Sequence, residues 1–158
     1  MKTLVALTLA GALAWTAVAS QTTQPKETKT MELGSFTLCL LVKDINASKE
    51  FYEKLDFKQV SGDIKQKWIV VQNGTTKIGL FQGLIEKNML TFNPGQTSSK
   101  ETLKDFADVR EIQSTLKKRG LKLKAEADES TKGPAHITID DPDGNPILLD
   151  QYVASPKR

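Results

Sequence analysis

The sequence PAHITIDDPDGNPILLDQ, at residues 134–151, carries the strongest structural signal in the chain. Two apolar-rich runs flank the turn sequence DPDGN at residues 141–145. Within the turn, Pro142 fixes one φ angle, Gly144 provides a positive one, and Asp and Asn side chains close it. The stretch therefore predicts a β-hairpin near the C-terminal end of the chain.

Side chains alternate between the two faces of a strand, which divides this hairpin into two sets of residues. One set is apolar, and we expect helices to cover it. The other is mixed, and we expect it to line a cavity. The apolar set is Ile137, Ile139, Ile147 and Leu149, and the mixed set is His136, Thr138, Leu148 and Asp150.

Outward from this hairpin, the chain repeats one order of elements, a strand followed by a helix and three strands. In the first half the helix begins at Asp44, and the last two strands meet at the hairpin signal Asn73-Gly74. The predicted elements of this half are Phe36–Val42, Asp44–Leu55, Phe57–Ser61, Lys67–Gln72 and Thr76–Gln82.

The second half has the same order, with a helix that ends at Gly120, a residue suited to a left-handed C-terminal cap. Its predicted elements are Met89–Asn93, Phe106–Arg119, Leu121–Ala127, His136–Asp140 and Pro146–Gln151. Thirteen residues separate Asp44 from Phe57 and also Asp108 from Leu121. The two halves therefore indicate an internal duplication in an α+β fold.

Composition and charge limit the classes of function. With 158 residues, of which 39% are hydrophobic and 26% charged, the chain is long enough for one domain with its own core. The formal net charge of +3 is too small to indicate nucleic-acid binding. The single cysteine, Cys39, excludes an internal disulfide, so stability must come from the core.

The N-terminal residues have the pattern of an export signal. A positive start at Lys2 precedes an apolar run that ends at Ala17-Val18-Ala19, which has the form of a cleavage site. The run is shorter than the ~20 apolar residues of a membrane span, so we expect no stable membrane insertion. We predict a signal peptide at 1–19, a flexible lead-in at 20–34, a single domain at 35–153, and a periplasmic or secreted location.

The chain resembles the vicinal oxygen chelate superfamily, which includes glyoxalases, bleomycin-resistance proteins and extradiol dioxygenases. The resemblance lies in Leu40-x-Val42-x-Asp44-Ile45-x-x-Ser48-x-x-Phe51-Tyr52-x-x-Leu55-x-Phe57 and in the later Asp141-Pro142-Asp143-Gly144-Asn145. It implies two βαβββ modules, at about 36–83 and 88–152, whose mixed sheet curls around a shared cleft. It also implies a homodimer.

Metal-using members of that superfamily place histidine on the first strand of each module and glutamate on the last strand. Carried over by position, these ligands fall on Thr37, Met89 and Leu148, and a further glutamate of some members falls on Gly79. None of these side chains is a strong ligand for a hard divalent cation. We therefore expect no metal at the usual positions and no cofactor, with a relocated divalent metal as the alternative.

Strand alternation predicts which residues face the cleft and would bind a small organic ligand. These ligand-binding candidates are Thr37, Phe81, Met89, Thr91, Asn93, Thr138, Leu148 and Asp150. His136, the only histidine, is a candidate general base or a residue that only hydrogen-bonds at a strand end. Cys39 is a candidate nucleophile if His136 lies within hydrogen-bonding reach, and otherwise small packing material.

Three functions fit these features. The first is an exported protein that binds a small organic molecule in its cleft without the usual metal triad. The second is a glyoxalase-like lyase or isomerase that uses His136 or a relocated metal. The third is an interaction module.

Overall fold

The computed structural model describes residues 31–157. The predicted signal peptide at 1–19 and most of the lead-in at 20–34 lie outside the described residues. A short 3-10 turn, Ile64–Gln66, separates the second and third strands. The helices and strands are β1 Ser35–Leu41, α1 Ile45–Glu53, β2 Lys58–Asp63, β3 Trp68–Asn73, β4 Thr76–Phe81, β5 Met89–Asn93, α2 Val109–Lys118, β6 Ala135–Asp140 and β7 Pro146–Gln151.

The seven strands form one open mixed sheet in the order β2-β3-β4-β1-β5-β7-β6. Strand β1 is parallel to β4, and β5 is parallel to β7, so each module places its first strand beside its last one. The two modules meet where β1 and β5 pair antiparallel, with Thr37 opposite Thr91. The predicted α+β class is therefore confirmed, and the centre of the sheet is the junction of the two modules.

Each helix covers a separate hydrophobic core on the same face of the sheet. Under α2, buried side chains of that helix pack with Ile137, Ile139 and Leu149, and the partly buried Ile147 joins them. Under α1, Ile45 packs with a second cluster from the first module. That cluster is Ile69, Val71 and Leu80. The apolar face predicted for the C-terminal hairpin is thus confirmed as the face under the helix.

Both helices begin at an aspartate, as the sequence predicted for the first. The side chain of Asp44 accepts hydrogen bonds from the amides of Asn46 and Ala47, and Asp108 accepts one from the amide of Arg110. Helix α2 begins at Val109 rather than at the predicted Phe106, because Asp108 has extended backbone angles and ends the preceding loop.

The C-terminal hairpin turn closes as its residue types predicted. The carboxylate of Asp141 accepts hydrogen bonds from the amides of Asp143 and Asn145, and from the side-chain amide of Asn145 at 2.7 Å. Gly144 has a φ of +80°, which favours glycine at this place.

The predicted strand Leu121–Ala127 is not formed, and only an isolated bridge joins Ala125 to Thr138 of β6. The side chain of Gln113 in α2 explains the difference. Its oxygen accepts a hydrogen bond from the Ala127 amide at 2.7 Å, and its nitrogen donates to the Ala127 carbonyl at 3.1 Å. Because Gln113 satisfies both backbone groups of Ala127, the segment ends against the helix instead of extending its pairing with β6.

Asp108 is also the centre of a buried polar cluster that fastens the C-terminal segment. Its Oδ2 accepts hydrogen bonds from Gln151 Nε2 at 2.9 Å and from Ser155 Oγ at 2.6 Å. Its Oδ1 lies 3.3 Å from Nη1 of the buried Arg110. Residues after β7 are thereby held against the start of α2. Within the described part of the chain, no helix is both long and apolar enough to cross a membrane.

Candidate functional site

A cavity of about 310 Å³ lies on the face of the sheet that the helices leave uncovered. Its floor comes from alternate residues of β1, β3, β4 and β5, and its rim from β2, the loop after β5 and the residue after β7. The lining residues are Thr37, Cys39, Ser61, Trp68, Val70, Lys77, Phe81, Thr91, Asn93, Gln96, Lys100 and Tyr152. The volume is at the small end of the range for ligand sites.

One wall of the cavity is aromatic. Trp68 and Phe81 are directly paired on β3 and β4. Their rings are almost parallel, at 12°, with centroids 6.3 Å apart. Gly79 makes room for this arrangement, because a Cβ there would lie 2.7 Å from the Phe81 ring and 3.2 Å from the sulfur of Cys39. The missing side chain at Gly79 therefore lets the Phe81 ring lie over the sheet.

Buried polar side chains form the floor where the two modules meet. The sulfur of Cys39 and the hydroxyl of Thr91 are hydrogen-bonded at 3.3 Å. The side-chain nitrogen of Asn93 donates to the carbonyl of Asp150 at 3.1 Å, which ties β5 to β7. Burial raises the pKa of the Cys39 thiol, although its hydrogen bond to Thr91 acts in the opposite direction. A thiol with a raised pKa is protonated near neutral pH and is a weak nucleophile.

Two lysines bring positive charge to the cavity. The side chain of Lys77, on β4, is 94% buried, and its ammonium group donates to Ser35 Oγ at a long 3.4 Å. Burial lowers the pKa of Lys77, and the charge of the nearby Lys100 lowers it further. Lys100 itself donates to the carbonyl of Val60 at 2.6 Å. Among residues 31–157, neither lysine forms an ion pair with a carboxylate.

Tyr152 contributes a phenol at the rim, next to an acidic group. Its hydroxyl and the side chain of Asp150 are close enough for each to act on the pKa of the other. Burial raises the pKa of Asp150, while the Tyr152 hydrogen bond and the charge of His136 act to lower it. Burial and the neighbouring carboxylate of Asp150 also raise the pKa of Tyr152. A raised pKa keeps the Tyr152 phenol protonated near neutral pH, where it can donate a hydrogen bond.

The structure divides the predicted site residues into two groups. Thr37, Cys39, Phe81, Thr91 and Asn93 line the cavity together. The other predicted site residues do not line it, and these are Met89, His136, Thr138, Leu148 and Asp150.

His136 and Cys39 are not neighbours. His136 is exposed on the edge strand β6, and the strands β5 and β7 lie between it and Cys39 on β1. The pairing on which the nucleophile hypothesis depended is therefore not formed, because the sheet order separates the two strands.

Sequence reasoning missed Lys77, Lys100 and Tyr152 as parts of one cavity. Lys77, Gly79 and Phe81 are alternate residues of β4 and therefore share one face of the strand, so alternation placed Lys77 on the cavity face. A lysine in a six-residue strand is more often exposed, and nothing local in the sequence indicated its burial.

The four positions that correspond to the family's metal ligands lie on the four central strands. Gly79 is paired with Cys39, Thr37 with Thr91, and Thr91 with Leu148, while Met89 is paired with Cys39. Their side chains do not fit a hard divalent cation, which requires carboxylate, carbonyl or imidazole ligands. Within residues 31–157, no three His, Cys, Asp or Glu side chains are grouped so that they could hold a metal ion.

A second depression, of about 460 Å³, lies beside α1. It is an open groove lined mainly by apolar residues such as Leu41 and Phe51, which are both exposed. It contains no ionisable group apart from the Tyr52 phenol. The cavity between the modules combines aromatic, cationic and hydrogen-bonding groups, so we take it as the candidate site.

Two repeated modules, with helices on one face of an open sheet and a cavity on the other, define a protein of the glyoxalase-like fold. The sequence model of the glyoxalase/bleomycin resistance protein/dioxygenase superfamily matches residues 33–149, well over half of the chain. The chain belongs to this superfamily. The resemblance found in the sequence motifs is therefore confirmed.

Solved structures agree on the fold. The chain is similar to the NAD-dependent benzaldehyde dehydrogenase from Legionella pneumophila, with 17% identity and a TM-score of 0.54, over 74% of this chain and 98% of that one. A hypothetical protein from Bacillus halodurans C-125 has 13% identity and a TM-score of 0.52, over 80% and 98%. At such identities the likeness concerns the fold alone. No protein of curated function matches the chain.

Proposed function

We propose that this protein binds a small organic molecule in the cavity between its two modules, without the metal triad of its superfamily. One observation carries the proposal: a single cavity of about 310 Å³ combines an aromatic wall with several buried polar side chains. Specific ligand sites have this composition, in which apolar surface provides affinity and a few polar groups fix orientation.

The positions of the polar groups support binding more than conversion. Thr37, Thr91 and Asn93 are buried at the floor, where their side chains are held by the sheet. Cys39 has a raised pKa, and His136 lies outside the cavity. A site of this kind provides hydrogen-bonding groups and a surface that can fit a ligand, and it contains no histidine base or activated thiol.

Trp68 provides a direct probe of binding, because it is one of only two tryptophans in the chain, the other being Trp15. In a Trp15→Phe variant, all tryptophan fluorescence comes from the cavity wall. We expect at least one compound from a library of small aromatic and heterocyclic molecules to change this fluorescence saturably and to raise the melting temperature. If no compound does both, the proposal is wrong. If mass spectrometry detects turnover of a bound compound, the catalytic alternative replaces it.

Two glycines allow the bound compound to be localised. Gly79→Ala would push the Phe81 ring into the cavity, since the added Cβ would lie 2.7 Å from it. We expect this variant to lose affinity by about tenfold or more, which corresponds to about 1.4 kcal/mol. Gly133→Ala is the matched control, because no atom lies within 4 Å of a Cβ at Gly133. Equal affinity in the two variants would place the ligand elsewhere.

The proposal includes export and self-association. The pattern of residues 1–19 supports cleavage, so Edman sequencing of protein recovered outside the cytoplasm should begin at Ser20 or Gln21. The superfamily resemblance and the exposed Leu41 and Phe51 support a homodimer. Sedimentation velocity is expected to give the mass of two chains. An intact N-terminus would contradict the proposed export. A monomer at all concentrations would contradict the proposed homodimer.

A further inference from the structure

The strongest unexplained feature of the cavity is the ammonium group of Lys77. The residue exposes only 6% of its surface, and the single hydrogen bond of the ammonium among the described residues is the 3.4 Å contact with Ser35 Oγ. A buried charge is costly unless an opposite charge or several hydrogen bonds compensate for it. One long hydrogen bond to a neutral hydroxyl does not provide this compensation.

The surroundings of Lys77 add a second positive charge and no negative one. Lys100 lies close enough for its charge to act on Lys77, and both side chains face the same cavity. None of the lining residues is an aspartate or a glutamate. The partly buried carboxyl of Asp150 lies on β7, separated from the strand of Lys77 by β1 and β5. The described residues therefore leave two neighbouring cations without a counter-charge.

We infer that the ligand of this cavity is an organic anion, whose carboxylate binds between Lys77 and Lys100 and whose apolar body lies against Trp68 and Phe81. The inference rests on the proposed binding function. A carboxylate provides the missing negative charge and accepts hydrogen bonds from both ammonium groups. Gln96 also lines the cavity, and its backbone carbonyl accepts from the amide of Ser35, the hydrogen-bond partner of Lys77, so its side-chain amide nitrogen is a further donor nearby.

The shape of the cavity agrees with this orientation. Lys77 and Phe81 lie on the same face of β4, with Gly79 between them. Successive residues on one face of a strand are about 7 Å apart, and the Phe81 ring lies over Gly79, so the aromatic wall and the Lys77 side chain are neighbours on the cavity face. The cavity volume of about 310 Å³ limits the ligand to a small molecule. We therefore expect small aromatic carboxylic acids to bind more tightly than larger or neutral molecules.

The test compares acids with their neutral amides, which have nearly the same shape. Isothermal titration calorimetry would use benzoate, 4-hydroxybenzoate, phenylacetate and 2-naphthoate, each paired with its primary amide. We expect at least one acid to bind with a Kd below about 1 mM and at least tenfold more tightly than its amide. If amides bind as tightly as acids, the anion inference fails while the binding function stands. If neither acids, amides nor library compounds bind, both fail.

Lysine variants then test the residues themselves. Lys77→Met should weaken acid binding at least tenfold and leave amide binding unchanged, because Met keeps the length of the side chain and removes its charge. Lys100→Met should also weaken acid binding, but by a smaller factor, since Lys100 is exposed. Lys122→Met is the control, because Lys122 is also exposed and does not line the cavity.

A loss of acid binding in Lys77→Met is not expected to result from unfolding. Replacement of a buried, poorly paired charge by an apolar side chain of similar volume is often neutral or stabilising, so Lys77→Met should melt at or above the temperature of the unmodified protein. Acid binding that survives in a folded Lys77→Met variant, or that falls equally in Lys122→Met, would overturn the inference.

Discussion

Replacing Asp108 with alanine is expected to lower the free energy of unfolding by about 3 kcal/mol, the scale measured when one partner of a buried charged pair is removed. Asp108 is 95% buried and accepts hydrogen bonds from three residues, Arg110, Gln151 and Ser155. Without the carboxylate, the guanidinium of Arg110 keeps its backbone and hydroxyl acceptors but loses its only ion pair within residues 31–157.

The internal duplication provides a matched control in Asp44. Both aspartates cap the first turn of their helix, but Asp44 is exposed, and among the described residues its side chain accepts hydrogen bonds only from the amides of Asn46 and Ala47. Asp44→Ala should therefore cost about 1 kcal/mol, the usual value for the loss of an N-cap. Urea denaturation of both variants measures the difference. Equal losses would mean that the buried cluster adds nothing beyond capping.

The difference between the unmodified protein and Asp108→Ala should also depend on pH. Burial alone would raise the pKa of Asp108, but hydrogen bonds from Ser155, Gln151 and Arg110 outweigh it, and the net pKa lies below the ordinary value of 3.8. A lowered pKa in the folded state means that the carboxylate stabilises the protein above pH 3.8 and loses this effect as the pH falls through the folded-state pKa. The gap between the two proteins should be constant near neutral pH and shrink in acid. A gap that widens in acid would contradict the assigned direction.

Replacing Leu149 with alanine is expected to cost about 3 kcal/mol, within the range for buried leucines. Leu149 is 99% buried under α2, where it packs with Ile137, Ile112 and Leu116. The methyl groups removed there cannot be replaced by water or by a nearby side chain without moving the helix. Most of the cost is therefore expected to appear as a cavity in the core.

Leu148→Ala is the natural control, since Leu148 is the preceding residue on the same strand and faces the other side of the sheet. It is only partly buried and belongs to neither hydrophobic core. We expect a cost of about 1 kcal/mol for this variant, in proportion to the smaller area that it removes from contact. Chemical denaturation of both proteins measures the two values. A cost at Leu148 equal to that at Leu149 would mean that both faces are packed alike, which contradicts an open cavity face.

These stability effects bear on function through the arrangement of the two faces. The helices and both cores occupy one face, so stability depends little on the other. The second face therefore tolerates groups that are poor for stability, such as the buried Lys77 and the glycine at position 79. Residues that bind ligands commonly lower the stability of the folded protein in this way.

The catalytic alternative requires a different arrangement from the one that the sequence suggested. His136 is exposed on the edge strand β6 and is paired with Asp150 of β7. A base at His136 would act on a group outside the cavity. Turnover that disappears in His136→Ala would support that alternative, and turnover that persists would direct attention to Lys77, Tyr152 and Asp150.

Local sequence determined the parts of the fold that depend on near neighbours. The turn at 141–145, the cap at Asp44 and the glycine end of α2 each follow from contacts within about five residues. The two faces of the C-terminal hairpin follow from strict alternation, which any strand imposes on its side chains. The family motifs then joined these elements into two modules, because the same order and spacing occur twice.

Only the tertiary structure decided which residues share the cavity and which charges are buried in it. Lys77, Lys100 and Tyr152 are far apart in sequence and meet because β1 pairs with β5 at the junction of the modules. The absence of a strand at Leu121–Ala127 has the same kind of cause, since Gln113, fourteen residues away, satisfies the backbone of Ala127. Alternation assigns a side chain to one face of a strand, but its burial and its electrostatic partners depend on strands and loops that are distant along the chain.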